Sequence, residues 1–119
     1  MSAPLAVLVV DDSAVLRTLV SHYLDDELDL HVIASVGTAQ EALDQAGLVT
    51  FDAILLDQHL PGTTGLDVLP QLRTLSPSAR IVVFSSSTDL RADALRTGAD
   101  EFVGKHSPFH EVAEVLRGG

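Results

Sequence analysis

Residues 51–65 read Phe-Asp-Ala-Ile-Leu-Leu-Asp-Gln-His-Leu-Pro-Gly-Thr-Thr-Gly. Ile54, Leu55 and Leu56 form an apolar run that ends at Asp57, and Pro61, Gly62 and Gly65 follow within a few positions. An apolar run of strand length bounded by turn residues predicts a buried strand, then a turn, then a helix. Such a strand delivers one carboxylate, Asp57, to its carboxyl edge.

The same unit recurs on both sides. Upstream, the Val-rich run Leu5 to Val10 ends at Asp11-Asp12 and predicts a strand buried on both faces. Ser13 then starts a helix whose apolar stripe is Val15, Leu16, Leu19, Val20, Tyr23 and Leu24, with Asp25 to Asp29 as a charged loop. Leu30 to Val36 is a second strand. Thr38 and Glu41 have capping-box spacing before an Ala-rich helix that turns Ala39, Ala42, Leu43 and Ala46 inward and stops at Gly47.

Downstream, Thr64 caps a third helix with Leu66, Leu69, Leu72 and Leu75 inward, and Pro70 predicts a kink or the loss of one helical hydrogen bond. Ser76-Pro77-Ser78 is a turn, and Ile81 to Phe84 is a fourth strand leading to Ser85. Thr88 or Asp89 begins a short helix through Arg96 that Gly98 stops. Glu101 to Gly104 is a brief fifth strand with Lys105 at its end. Ser107 as cap and Pro108 at the first helical position open a last helix, with Val112, Val115 and Leu116 inward, that ends at Gly118-Gly119. Five alternations of strand and helix predict an α/β fold: a flavodoxin-like (βα)5 sandwich, its five parallel strands ordered 2-1-3-4-5 with helices on both faces.

A chain of 119 residues, 46% apolar, is expected to be a single domain over 1–119. Seven basic against 17 acidic residues give a formal charge of -10, which repels nucleic-acid phosphate and anionic lipid, so neither direct nucleic-acid binding nor membrane binding is expected. The chain has no cysteine, which excludes disulfides and thiolate metal sites. No apolar run approaches the ~20 residues of a membrane helix. A cytoplasmic location is the expectation.

In the predicted order, the residues that close the strands meet at one edge: Asp11 and Asp12 after the first, Asp57 after the third, Ser85 after the fourth and Lys105 after the fifth. Ligands bind at that edge, where the strand order reverses. Three converging carboxylates repel one another unless a cation intervenes, and hard oxygen ligands suit Mg2+. Carboxylate, metal, ammonium and hydroxyl around one small volume are what phosphoryl transfer needs, because its catalysis is largely charge neutralisation and positioning.

On these residues the chain resembles the receiver domain of two-component response regulators, over essentially its whole length. The matching stretches are Val-Asp-Asp-Ser at 10–13, Leu-Asp-Gln-His-Leu-Pro-Gly-Thr-Thr-Gly at 56–65, Val-Phe-Ser-Ser at 83–86 and Gly-Ala-Asp-Glu-Phe-Val-Gly-Lys at 98–105. The resemblance implies that Asp57 accepts a phosphoryl group from a histidine kinase or phosphotransfer protein. It implies that Asp12, Asp57 and the backbone carbonyl of His59 hold Mg2+, with Asp11 acting through water, and that Lys105 and Ser85 bind the phosphoryl oxygens. Phe102 falls at the family's aromatic switch position, and is read equally as a core residue. The His59 side chain either orients an attacking water or is simply solvated, and His22, His31, His106 and His110 are expected at the surface.

A downstream protein, or an output domain of a longer regulator from which this domain is excised, completes the implied pathway. The domain is then no enzyme beyond its own phosphorylation and dephosphorylation. Two departures stand out. His106 replaces the proline that follows the family's lysine, so a trans or locally rebuilt Lys105-His106 connection is expected. The segment from Ser85 to Gly98 is about two residues shorter than in members that resemble it closely. Competing functions are a phosphate-independent interaction module and a haloacid-dehalogenase-type phosphohydrolase; the latter needs Asp-x-Asp, whereas the acids here are adjacent. Flavin binding lacks aromatic residues, with one Tyr and no Trp.

Overall fold

The computed structural model describes residues 3–118. Strands β1 (Leu5–Val10), β2 (Leu30–Val36), β3 (Ala53–Asp57), β4 (Arg80–Ser85) and β5 (Glu101–Gly104) pair in parallel, in the order β2-β1-β3-β4-β5. This is the predicted flavodoxin-like order 2-1-3-4-5. Helices α1 (Ala14–Asp25), α2 (Ala39–Leu48), α3 (Gly65–Leu75), α4 (Arg91–Thr97) and α5 (Phe109–Arg117) connect them.

Side chains alternate across a strand, and that period of two sorts the apolar residues into two cores. Ile54 and Leu56 of β3, with Leu8, Val10, Ile81 and Val83, pack against Ala42 and Ala46 of α2, Val68, Leu69 and Leu72 of α3, and Ala94 of α4. Ala53 and Leu55, with Val7, Val9, Val82 and Phe84, pack against Val20 and Leu24 of α1 and Val112, Ala113 and Leu116 of α5. The ring of Tyr23 meets that of Phe109 edge-on, 5.8 Å between centroids, and joins α1 to α5. Since β3 is covered on both faces, its residues are apolar on both faces until Asp57.

Several helix ends follow the sequence reading. The Ser13 hydroxyl accepts from Leu16 N–H, Thr64 from Asp67 N–H, and Thr38 from Glu41 N–H at 3.1 Å. The Glu41 carboxylate returns to the Thr38 hydroxyl at 3.0 Å and to Gly37 N–H at 3.4 Å. Gly98 ends α4 and Gly118 ends α5, both at positive φ; Gly119 lies outside the described residues.

Other expectations are corrected. The α1 stripe is narrower than predicted: Val15 and Leu19 are 71% and 54% exposed, because α1 lies on one flank of the sheet and only Leu16, Val20, Tyr23 and Leu24 turn toward it. Leu75 is exposed and Val68 is the inward residue that the stripe of leucines concealed. Gly47 does not stop α2, which continues to Leu48 and is capped by Val49. The last helix begins one residue late, with Pro108 and not Ser107 as its cap. A 3-10 turn at Thr88–Leu90 precedes α4, which has seven residues. The helix α3 runs unbroken through the exposed Pro70, whose missing N–H removes one donor from the ladder, as one of the two expected outcomes has it.

Between β3 and α3 the chain makes a small hairpin in which His59 and Leu60 pair antiparallel with Thr64 and Thr63. It brings Gly65 N–H to the Gln58 carbonyl at 2.8 Å. A Cβ on Gly65 would stand 2.3 Å from the backbone oxygen of Asp57, so glycine is required by close approach and not by its φ. Gly65→Ala is expected to lower stability by about 1–3 kcal/mol, read as a lower urea midpoint at unchanged m value.

Candidate functional site

Asp57 closes β3 with no exposed surface, and Asp11 closes β1 at 2% exposed, while Asp12 is exposed at the rim. One carboxylate oxygen from each of the three lies within 4.8 Å of the others. The parallel pairing of Val10 with Leu56 puts the next residues of β1 and β3 side by side, which is why acids 46 positions apart in the chain meet. Lys105, just past β5, reaches across to them. Its Nζ is 2.9 Å from Asp57 Oδ1 and 3.0 Å from Asp11 Oδ2, and 5.5 Å above the centre of the buried Phe84 ring.

Each buried oxygen can be traced. Asp57 Oδ1 also accepts from His59 N–H at 3.3 Å, and Asp11 Oδ1 accepts from Ser13 N–H at 2.9 Å. Asp57 Oδ2 is buried without any hydrogen-bond donor. Burial pushes the Asp57 pKa up from its ordinary 3.8; the Lys105 ammonium opposes this, the Asp11 charge adds to it, and the net direction is upward. Burial acts to depress the Lys105 pKa, but Asp57 and Asp11 outweigh it and the ammonium is held above its ordinary 10.5.

Ser85 ends β4 at 1% exposed, and its hydroxyl accepts from Ser87 N–H at 3.1 Å. Its carbonyl accepts from Lys105 N–H at 2.9 Å, so hydroxyl and ammonium are carried by hydrogen-bonded backbone. No peptide bond among the described residues is cis, and the Lys105-His106 link is trans as expected without proline. Phe102 is 6% exposed and sits in the core with Val83 as its strand neighbour. All five histidines are exposed; His59 lies two residues after Asp57 and His106 directly follows Lys105.

The strand-end residues Asp11, Asp12, Asp57, Ser85 and Lys105 are therefore together at the carboxyl edge. Two residues were not singled out in the sequence. Gln58 is 8% exposed, and its Oε1 accepts from Leu66 N–H at 3.1 Å, tying the strand end to the first turn of α3. Arg17 Nη1 donates to the Asp11 carbonyl at 2.7 Å. Neither carries a spacing signal, because each bond depends on how the chain folds back.

A doubly wound parallel sheet with an acidic cluster and a lysine at its carboxyl edge defines the class of protein. The response regulator receiver domain model matches residues 7–117, and the chain belongs to that family. The receiver family binds Mg2+ at a cluster of acidic residues, and Asp11, Asp12 and Asp57 form an acidic group here. The protein-glutamate methylesterase/protein-glutamine glutaminase of group 2 operon from Rhodospirillum centenum is 38% identical over 115 residues, which cover 93% of this chain and 29% of that protein. The chain thus spans less than a third of that relative's length. The response regulator domain of Thermotoga maritima CheB is 28% identical at a TM-score of 0.82, covering 97% of this chain and 92% of that one. A Burkholderia pseudomallei response regulator, solved with a phosphorylated aspartic acid, a calcium ion and citrate, is 28% identical at a TM-score of 0.84, covering 93% and 65%.

The raised Asp57 pKa sets a pH dependence. A carboxyl whose folded pKa lies above its unfolded value weakens the fold when charged, fully so above the folded pKa, and stops doing so as the pH falls through that pKa toward 3.8. Asp57→Asn is therefore expected to raise the Tm of the metal-free protein by a few degrees at neutral pH. The gain should shrink steadily on acidification, as thermal melts of both proteins across pH 3 to 8 would show.

Proposed function

We propose that this domain is a phosphorylation-controlled switch in which Asp57 takes a phosphoryl group from a histidine kinase or phosphotransfer protein. The observation that carries this reading is the buried Asp57 carboxylate, with one oxygen held by Lys105 and the other without a partner inside a three-carboxylate cluster. A structural aspartate would be neither so desolvated nor left with an orphaned oxygen, since an unpaired buried acceptor costs roughly 1–3 kcal/mol.

Charge supports the same reading. Three carboxylates against one ammonium leave a formal charge of -2, the complement of a divalent cation. Asp12, Asp57 and the His59 backbone carbonyl would hold Mg2+ directly and Asp11 through water; Asp11 is the acid already occupied by Ser13 N–H and Lys105. Bound there, Mg2+ supplies neutralisation of the carboxylates and of the incoming phosphoryl oxygens.

An Asp57 oxygen attacks phosphorus, the bond from phosphorus to the donor imidazole nitrogen breaks, and the imidazole leaves with the electron pair and takes up a proton. The product is an acyl phosphate on Asp57. Lys105 shifts its ammonium from the Asp57 carboxylate to a phosphoryl oxygen, and the Ser85 hydroxyl, still accepting from Ser87 N–H, has its own proton to donate to a second. The new oxygens add roughly -1.5 to -2 of charge and select the arrangement of the β4–α4 and β5–α5 segments that satisfies them. Phe102, at the switch position, is already packed inward with Asp57 unmodified, so in this reading the changed surface offered to a downstream partner, in a longer regulator or in a separate protein, comes from those two segments around it. The domain works on no substrate other than its own Asp57.

Incubation with Mg2+ and acetyl phosphate, followed by intact mass measurement, should show one added phosphoryl group, absent from Asp57→Asn. Beryllofluoride with Mg2+ should shift the amide spectrum of the wild type alone. A folded protein that shows neither response would be a phosphate-independent interaction module, and steady turnover of phosphate esters would make it a phosphohydrolase.

A further inference from the structure

We propose that Arg17 is a positioning residue for the cation site, holding the peptide between Asp11 and Asp12 so that the Asp12 carboxylate faces Asp57, and that Gly37 is bare to leave it room. The inference rests on the reading of Asp12 as a direct Mg2+ ligand given above.

Asp11 has a contact at each polar atom, hydrogen bonds at three of them and an ion pair alone at Oδ2. Its N–H donates to the Val36 carbonyl at 3.0 Å, Oδ1 accepts from Ser13 N–H at 2.9 Å, and Oδ2 lies 3.0 Å from Lys105 Nζ. The remaining atom, the carbonyl oxygen, accepts from Arg17 Nη1 at 2.7 Å. That carbonyl is half of the peptide plane from which Asp12 hangs. Asp12 itself is exposed, and its carboxylate makes no hydrogen bond to the described residues, so its direction is set by the backbone behind it.

The guanidinium reaches this carbonyl from the first half of α1 by passing against the β2–α2 junction. A Cβ on Gly37 would stand 2.7 Å from Arg17 Nη1 and 3.7 Å from the Asp11 carbonyl oxygen, in the space the guanidinium fills. Gly37 is not in the left-handed region, so its backbone has no need of glycine; the guanidinium does. Arginine suits the task because its planar guanidinium carries its donors in a fixed fork at the end of a long side chain. The bond also removes the Asp11 carbonyl from the possible ligands and leaves that of His59.

Charge and geometry predict opposite signs, which makes the inference testable. Arg17 is a cation close to a cation site, so by Coulomb's law alone its removal would tighten Mg2+ binding. Loss of a residue that orients a ligand instead weakens metal affinity by roughly 10- to 100-fold.

Calorimetric Mg2+ titration of the wild type, Arg17→Ala and Gly37→Ala tests this, with urea melts to confirm folding. Gly37→Ala keeps the charge and displaces only the end of a flexible side chain, so it remains informative if Arg17→Ala folds poorly. Both variants should bind Mg2+ about tenfold more weakly, and their initial rates with acetyl phosphate should return to the wild-type value at saturating Mg2+. Unchanged or tighter binding in the variants overturns the positioning role while leaving the phosphorylation reading intact. A wild type that binds no Mg2+ removes both.

Discussion

The structure is organised around one desolvated carboxylate. Asp57 ends a strand that is buried on both sides, with no surface of its own exposed, and its charge is met by a single ammonium that it shares with Asp11. Burial of a charge is tolerated only where partners are held in place, and every neighbouring element contributes to that holding. β1 supplies the second acid, β5 ends at the lysine, and β4 supports the lysine both through its backbone and through the Phe84 ring. The close packing of Gly65 on the Asp57 carbonyl fixes the strand end itself. Burial pushes Asp57 toward the protonated state, and the Lys105 ammonium works against that push.

Much of this was legible in the sequence because strand ends are legible. Continuous apolar runs in an alternating chain predict parallel strands, and a parallel sheet gathers all its carboxyl ends at one edge; Asp11, Asp12, Asp57, Ser85 and Lys105 followed from that alone. Capping side chains at Ser13, Thr38 and Thr64 were equally readable, being contacts between residues three apart. What escaped were facts about direction and reach. The α1 pattern is amphipathic over a wider arc than the sheet covers, so Val15 and Leu19 looked like core. Gly47 looked like a stop, but a glycine ends a helix only when the chain turns there into the left-handed region, as it does at Gly98 and not at Gly47. Gln58 and Arg17 act through bonds that exist only after folding, to Leu66 and to the Asp11 carbonyl.

The two cores differ in how they meet the site. The α1 and α5 side places Tyr23 and Phe109 in edge contact and carries the fork of Arg117 onto Asp29 and Glu27, binding the last helix to the loop before β2. The opposite side is closed near the site by a seven-residue helix and a 3-10 turn, elements too short to be stable without their packing. Rearrangement is cheapest there, next to Ser85 and Phe102.

Lys105 N–H donates to the Ser85 carbonyl, and this bond has a consequence for the proposed switch. The two side chains proposed to hold an added phosphoryl group ride on backbones tied to each other, so neither can travel far while the other stays behind. A graded reply, with one group recruited before the other, would have to break that tie. On the proposed switch reading, the tie favours an answer in a single step, in which Lys105 and Ser85 engage a phosphoryl group on Asp57 together.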